Sequence, residues 1–159
     1  MERQLKLADV YCFDTGPLVN LKSYPEGMEI FSPIWKQLEE LSKAERLISH
    51  SEVLREITHE RDQIFKWCNS HKKIFKDTDN GQLKSLKTVK AQYDQKHWET
   101  MINKPGPWAD PLVLALSLSE KATLVSNERN TPNHINFIAG KLNIKCLGFF
   151  DFLKEIGIK

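Results

Sequence analysis

The sequence lacks the features of a secreted, disulfide-bonded or membrane-spanning protein. Only three cysteines occur in 159 residues, and Cys12, Cys68 and Cys146 are too far apart to imply a disulfide framework. No stretch approaches the roughly 18 apolar residues of a membrane span, and the N-terminal MERQLKLADV has no signal-peptide core. These absences predict a protein that has no membrane attachment and stays in the cytoplasm.

Other absences exclude several kinds of phosphate and ester chemistry. There is no G-x-x-x-x-G-K-[ST] loop for nucleotide hydrolysis by a P-loop protein, and no G-x-S-x-G elbow of a serine hydrolase. A phosphatase of the haloacid-dehalogenase type would need a second aspartate where the chain has Gly16. The formal net charge of +2 neither requires nor excludes nucleic acid, because binding depends on where positive charge clusters.

The composition itself is that of an ordinary globular protein. Hydrophobic residues make up 40% of the chain and charged residues 28%. A chain of 159 residues is long enough for one domain with a proper core and too short for two. We therefore predict a single domain over residues 1–159.

The stretch LKLADVYCFDTGPLVN, residues 5–20, is an apolar run that ends abruptly at Asp14. The block from Val10 to Phe13 is typical of a strand buried on both faces of a parallel sheet. Ligands bind beyond the carboxyl ends of strands in open α/β sheets, so Asp14 would stand at the natural site. The alternative is that Asp14 only caps the turn made by Gly16 and Pro17.

A second strand, predicted over residues 46–49, runs directly into a helix that carries two glutamates. Ser49 and Glu52 form an S-x-x-E capping box, which places the helix start at the end of the strand. Glu52 and Glu56 lie four residues apart on one face of this helix. Because Glu52 already has a capping role, Glu56 is the better candidate for a site.

The stretch WADPLVLALSLSEKATLVSNERN, residues 108–130, predicts a helix followed by another strand. Asp110 is expected to be the N-cap of a very apolar helix with Pro111 in its first turn. Residues 122–126 (ATLVS) predict a buried strand that ends in the polar residues Asn127 and Glu128. Asp110 and Glu128 would thus join Asp14 at one edge of the sheet.

Further helices separate and follow these strands. The pattern predicts a helix over about 33–44 with Ser32 as its N-cap, a turn at 79–81, a helix from Thr131 and Pro132 to near Gly140, a strand over 144–147 and a closing helix over 149–156. This alternation predicts an α/β fold, a three-layer α/β/α sandwich with a central, mostly parallel sheet of about five strands.

The middle of the chain, residues 66–96, carries eight lysines against three aspartates, with aromatic residues between them. A solvated helical face is the default explanation for such a run. The alternative is a surface that follows a nucleic-acid backbone, because cations neutralise phosphates without recognising sequence. In that case the binding residues are Lys66, Lys72, Lys73, Lys84 and Lys87.

Four acids, Asp14, Glu56, Asp110 and Glu128, thus occur at equivalent places in successive β–α units. Clustered carboxylates raise each other's pKa unless a cation lies among them. Mg²⁺ or Mn²⁺ is the simplest such cation, since both accept oxygen ligands and are commonly held by a few carboxylates together with substrate phosphates. The chemistry indicated is attack of metal-activated water on a phosphodiester.

In their order and spacing, these motifs resemble those of the PIN-domain family of metal-dependent nucleases, which includes the toxins of many prokaryotic toxin–antitoxin pairs. The matching pieces are YCFDTGPLV with Asp14, RLISHSEVLREI with Glu56, WADPLVLALSL with Asp110 and TLVSNERN with Glu128. The likeness extends to a small prokaryotic PIN-like family without an assigned function, through Pro33, Trp35 and the closing segment NIKCLGFFDFLKEIGIK.

Two positions depart from the family pattern. The second motif offers both Glu52 and Glu56, and the family pattern favours Glu56, which is followed by Ile57. In the fourth motif many relatives have aspartate where this chain has Glu128 after Asn127. The resemblance gives Ser126 the role of orienting a ligand or a water there.

The resemblance implies an endoribonuclease that depends on Mg²⁺ or Mn²⁺ and is the toxin of a toxin–antitoxin pair. Asp14, Glu56 and Asp110 would bind the metal, and Glu128 would complete the site or position water. The implied partners are an RNA substrate, an antitoxin protein and a second copy of the chain, with DNA as substrate left open. The alternative is a non-catalytic PIN-like module that binds RNA or a protein.

Overall fold

The structure is a computed structural model that describes residues 9–58 and 63–158. The strands are β1 (Tyr11–Phe13), β2 (Leu47–His50), β3 (Phe75–Lys76), β4 (Thr123–Val125) and β5 (Cys146–Leu147). The helices are α1 (Thr15–Asn20), α2 (Ser32–Lys43), α3 (Ser51–Ile57), α4 (Gln63–Ser70), α5 (Asn80–Lys90), α6 (Gln95–Ile102), α7 (Asp110–Glu120), α8 (Ile135–Lys141) and α9 (Phe149–Glu155). Within these described ranges, no helix is long and apolar enough to span a lipid bilayer.

The five strands form one parallel sheet in the order β3-β2-β1-β4-β5. The chain builds the sheet outward from β1 through β2 to β3, and then crosses to the other side of β1 to add β4 and β5. The order therefore reverses between β1 and β4, which opens a crevice beyond the carboxyl ends of these two strands. This topology confirms the predicted α/β fold with a central parallel sheet of five strands.

Alternating side chains of β1 show which helices cover each face of the sheet. The rings of Tyr11 and Phe13 contact the ring of Phe152 in α9, with centroids 5.1 and 4.9 Å apart. Cys12 lies between them and points to the opposite face, where its thiol donates a weak hydrogen bond to the Val113 carbonyl of α7. Helices α9 and α7 therefore lie on opposite faces, as the three-layer prediction requires.

Strand β1 is buried on both faces because it lies at the centre of the sheet, and its three residues are apolar throughout. Helix α7 is also apolar on most of its surface, because it contacts β1, β2 and β4 on one side and α5 and α8 on the others. The main core lies between this sheet and its covering helices. It holds the start of α7, and thus Asp110, in a fixed place at the carboxyl edge of the sheet.

Several predicted element ends are wrong. Helix α2 begins at Ser32, so this residue is not the N-cap; Phe31 precedes the helix and makes no side-chain cap. Helix α8 begins at Ile135, later than the predicted start near Thr131, because Asn133 has a left-handed backbone with φ of 67°. The predicted strands over 46–49, 122–126 and 144–147 are shifted or shorter, and β3 was not predicted as a strand.

Lys121 ends α7 in the left-handed conformation, with φ of 54° and ψ of 40°. A glycine tolerates this conformation without the steric cost that a Cβ atom brings. We expect Lys121→Gly to raise the free energy of unfolding by about 0.5–1 kcal/mol, measured by urea denaturation. The matched change Lys84→Gly, in the interior of α5, should lower the free energy of unfolding by about the same amount. A change of the same sign in both variants would contradict this expectation.

Candidate functional site

Asp14 follows β1 directly and is buried at the carboxyl edge of the sheet, with 4% of its surface exposed. Its backbone N–H donates to the Val125 carbonyl at 3.0 Å, and its Oδ2 accepts a hydrogen bond from Ser126 Oγ at 3.0 Å. Although Asp14 occupies the N-cap position of α1, its carboxylate makes no capping hydrogen bond to this helix. Asp14 is therefore fixed in the crevice between β1 and β4.

The surroundings of Asp14 disfavour the charged form of its carboxyl group. The pKa of Asp14 is raised to about 6, chiefly by burial and also by the charges of Glu128 and Glu56. The nearby Thr15 backbone N–H and the Ser126 hydroxyl act in the opposite direction and favour the carboxylate. Ser126, predicted as an orienting residue, thus lies against Asp14 and is itself fully buried.

Glu56 joins three parts of the site. One carboxylate oxygen accepts a hydrogen bond from Thr15 Oγ1 at 2.6 Å, just after β1. The other accepts from the Ala109 backbone N–H at 3.0 Å, just before α7. The carboxylate of Glu56 therefore lies between the segments that carry Asp14 and Asp110, and not along the exposed face of its own helix.

Asp110 lies in the first turn of α7, where Ala109 takes the N-cap position without a side-chain cap. The prediction that Asp110 is the N-cap is therefore wrong, because the helix begins one residue earlier. Within the described chain, no hydrogen bond holds the Asp110 carboxylate. Burial, together with the charges of Asp14, Glu128 and Glu56, raises its pKa to about 8.

Glu128 follows β4 and is exposed, yet its charge acts on both Asp14 and Asp110. Its backbone N–H donates to Ser126 Oγ at 3.3 Å, which keeps Glu128 next to the buried acids. The structure thus brings Asp14 and Asp110 into electrostatic range of each other and of both Glu56 and Glu128. Asn127 points elsewhere: its Oδ1 accepts from the Phe149 N–H at 2.9 Å and caps the start of α9.

The predicted capping box of Ser49 and Glu52 is wrong. The Ser49 hydroxyl donates to the Phe13 carbonyl across the sheet at 2.6 Å, so it cannot cap α3. His50 is the cap, since its Nδ1 accepts from the Glu52 N–H at 3.0 Å. The carboxylate of Glu52 accepts from Arg55 on the outer side of α3, and its charge is not among those that act on Asp14 or Asp110.

His50 is a buried residue that the sequence did not single out. Its Nε2 lies 2.8 Å from Thr78 Oγ1, in the segment after β3, while its Nδ1 serves as the cap. Because Nδ1 accepts a hydrogen bond, neutral His50 carries its proton on Nε2 and donates it to Thr78. Burial lowers the pKa of His50, which keeps the ring neutral in this arrangement. His50 therefore supports the helix that carries Glu56.

All five lysines predicted to bind nucleic acid are exposed. Lys72 and Lys73 lie in a turn before β3, toward the amino edge of the sheet, and Lys66 lies in α4. Lys84 and Lys87 lie on α5, and Lys87 belongs to its last turn.

The direction of α5 follows from its contacts with α7. At the start of α5, Gly81 lies close to Ser119, near the end of α7. Toward the end of α5, Leu86 lines an apolar pocket of about 260 Å³ together with Pro111 and Leu112, at the start of α7. Helix α5 therefore ends beside the turn that carries Asp110.

The four acids suit a hard divalent cation in their chemistry. All are oxygen donors of the kind that Mg²⁺ and Mn²⁺ accept, and no lysine or arginine of the described chain pairs with any of them. The pKa values of Asp14 and Asp110 are raised first by burial and then by repulsion between the acids, and a cation would relieve this repulsion. However, over residues 9–58 and 63–158 no three acidic, histidine or cysteine side chains already stand in a metal-binding arrangement. Binding would therefore require these carboxylates to move together.

Comparison with known proteins adds a family and a fold. Residues 11–159 match the model of a family described as "Domain of unknown function (DUF4411)". No curated protein matches the chain. Among solved structures, the chain is similar to the crystal structure of VapBC2 from Rickettsia felis bound to a DNA fragment from their promoter, with a TM-score of 0.50 and 17% identity over 87% of this chain and 98% of that chain. At this identity the similarity concerns the α/β fold alone.

Proposed function

The chain belongs to the DUF4411 family, whose description assigns no activity, and we propose from the site itself that the protein is a metal-dependent nuclease that hydrolyses RNA phosphodiesters. One observation carries this proposal. Four carboxylates with no cationic partner among the described residues lie near the point where the strand order reverses, and burial together with their mutual repulsion raises the pKa of Asp14 and of Asp110. Such a cluster is costly to fold and is explained by a bound cation.

Each residue of the site has a distinct proposed role. Asp14, Asp110 and Glu56 would hold Mg²⁺ or Mn²⁺, which would lower the pKa of a bound water and balance charge on the phosphoryl oxygens. Ser126 orients Asp14 through the hydrogen bond to Oδ2. Glu128, exposed at the rim, would accept a proton from the attacking water or orient it. Thr15 and the Ala109 N–H keep the Glu56 carboxylate turned toward the other acids.

The RNA backbone would approach over the lysines of α5. Lys84 and Lys87 are exposed on the helix that ends beside Asp110, and Lys87 lies in the last turn. Their charges would offset the repulsion between a polyanion and the four acids. Lys66, Lys72 and Lys73 would extend contact with a longer RNA along other faces.

The resemblance to toxin nucleases also supports a partner. We infer that an antitoxin protein binds this chain, that two copies of the chain associate, and that all 159 residues form one domain. The similarity to VapBC2, which was solved bound to DNA from their promoter, supports a search for a partner protein.

A second candidate is a non-catalytic module that binds RNA or a protein through its basic middle. The observation that favours it is that three metal-ligating side chains do not already stand together in the described chain. Metal dependence of the activity distinguishes the two candidates.

The test is incubation of the purified protein with a mixed-sequence RNA in the presence of Mn²⁺, Mg²⁺ or EDTA. We expect cleavage with at least one of the metals, none in EDTA, and recovery when excess Mn²⁺ follows EDTA. Gel analysis of end-labelled RNA would identify internal cuts. Protein that is inert on RNA and on DNA with both metals would refute the nuclease proposal and favour the binding module.

A further inference from the structure

Tyr93 lies in the turn between α5 and α6 and has a hydroxyl that the fold does not use. The residue is 7% exposed, and its hydroxyl oxygen is buried without a hydrogen-bond partner among the described residues. Buried tyrosine hydroxyls normally find a partner, because removing a polar group from water without one costs free energy. This hydroxyl therefore needs an explanation.

Packing accounts for the ring of Tyr93 but not for its hydroxyl. The ring contacts the edges of Trp98 and Trp108, with centroids 5.3 and 5.5 Å apart, and it stacks on His97 at 6.2 Å. A phenylalanine would make the same contacts without burying an unpaired oxygen. The hydroxyl is thus an addition to the aromatic cluster that the packing does not require.

The Tyr93 ring packs against Trp108, two residues before Asp110, so its hydroxyl lies close to the acidic site. Of the charges that act on it, that of Asp110 is the stronger and that of Asp14 is the second. The turn is also tied to the carboxyl edge of the sheet, because the Asp94 N–H donates to Asn133 Oδ1 at 2.9 Å, in the loop after β4. No hydrogen bond joins the Tyr93 hydroxyl to either aspartate, so its proton is left for a group that the chain does not supply.

A phosphodiester is the group whose chemistry fits. Its non-bridging oxygens only accept hydrogen bonds, and the phenol of tyrosine is a donor. A neutral donor adds no positive charge that would compete with a metal ion for the carboxylates. The two other hydroxyls beside the acids are already used, since Thr15 donates to Glu56 and Ser126 donates to Asp14.

We propose that Tyr93 is a further catalytic residue that contacts the substrate, and that its hydroxyl donates a hydrogen bond to a non-bridging oxygen of the RNA phosphodiester at the acidic site. The inference rests on the proposed nuclease function. The missing hydrogen bond of the free protein is then made when RNA binds, and the contact is stronger than a neutral one because the oxygen is charged.

The test is Tyr93→Phe, with kcat/KM for RNA cleavage measured in Mn²⁺ and the melting temperature measured in EDTA. We expect kcat/KM to fall about ten- to a hundredfold, the range for one hydrogen bond to a charged group. The melting temperature should be equal to that of the wild type or higher, because an unpaired buried hydroxyl is removed. Cleavage within twofold of wild type, or a lower melting temperature, would overturn the inference.

Tyr11→Phe is the matched control, because the Tyr11 hydroxyl donates to Glu155 at 2.8 Å, near the amino end of β1. The same loss of one oxygen should lower the melting temperature there and leave cleavage unchanged. A merely structural role of Tyr93 would instead give the pattern of Tyr11→Phe.

A wild-type protein that cleaves nothing would refute the nuclease proposal, and RNA binding would then test the contact by itself. Fluorescence anisotropy with a short single-stranded RNA in Mn²⁺ provides this measurement. Binding that is at least tenfold weaker in Tyr93→Phe would support the phosphate contact in a non-catalytic protein. Equal binding by both proteins, or no binding by either, would overturn it.

Discussion

Asparagine in place of Asp110 is expected to lower the RNA cleavage rate on the order of a hundred- to a thousandfold, the cost of losing one electrostatic contact in a catalytic site. The substitution keeps the size of the side chain and removes its negative charge. Asp110 has no hydrogen-bond partner in the described chain, so no structural contact is lost with the charge. The rate is measured with end-labelled RNA in saturating Mn²⁺.

The same variant should be more stable than the wild type at pH 8. The pKa of Asp110 is raised from an ordinary value of 3.8 to about 8 by burial and by Asp14, Glu128 and Glu56. Asp110 has no effect on the stability of the wild type below about pH 4, where it is protonated in the folded and unfolded states. The wild type loses stability as the pH rises toward 8, because the unfolded chain gives up this proton first. Asparagine has no proton to lose.

Melting temperatures in EDTA at pH 4, 6 and 8 would test this expectation. The difference between Asp110→Asn and the wild type should be largest at pH 8 and should disappear near pH 4. Asp9→Asn is the control, because Asp9 is exposed beyond the opposite end of β1. If Asp110→Asn cuts RNA at the wild-type rate, Asp110 is not a catalytic residue, whatever the stability of the variant.

Glu56→Gln should remove the charge of Glu56 and keep its hydrogen bonds. The glutamine oxygen can accept from the Ala109 N–H, and its amide can donate to Thr15 Oγ1, so both contacts of the glutamate are retained. We expect a melting temperature within a few degrees of the wild type and cleavage lowered on the order of a hundredfold. Differential scanning fluorimetry and the cleavage assay provide the two readings.

Glu56→Ala provides the structural comparison, since alanine removes both hydrogen bonds. It leaves the Ala109 N–H without its partner, and we expect a loss of about 1–3 kcal/mol in the free energy of unfolding. If glutamine preserved cleavage and only alanine abolished it, Glu56 would be a bridge between α7 and the segment after β1 and not a metal ligand.

The fold could be predicted because four of its five strands are apolar segments followed by polar or turn-forming residues. β3 could not be predicted, because Phe75 and Lys76 are too few to show an alternating pattern and lie within a lysine-rich segment. The strand is recognised only by its pairing with Ser49 and His50 of β2.

The four acids could be found in the sequence because each follows a strand or begins a helix, and parallel strands bring such positions to one edge. Apart from Ser126, the residues that hold them could not be found in this way. Thr15 lies 41 residues from Glu56, and the hydroxyl of Tyr93 is notable only because the folded chain leaves it unpaired. Local patterns also misassigned the cap of α3, since Ser49 bonds across the sheet to Phe13 and His50 takes its place.

The segment after β4 links the site to two helices through successive residues. Ser126 bonds Asp14, Asn127 caps α9, and the Glu128 carbonyl accepts from the Asn136 side chain of α8 at 2.7 Å. Inserting or deleting one residue here would exchange all three partners at once. A change in loop length or an inserted tag should therefore be tolerated in other connections, such as that between α1 and α2. The same change in the segment after β4 should disrupt the fold.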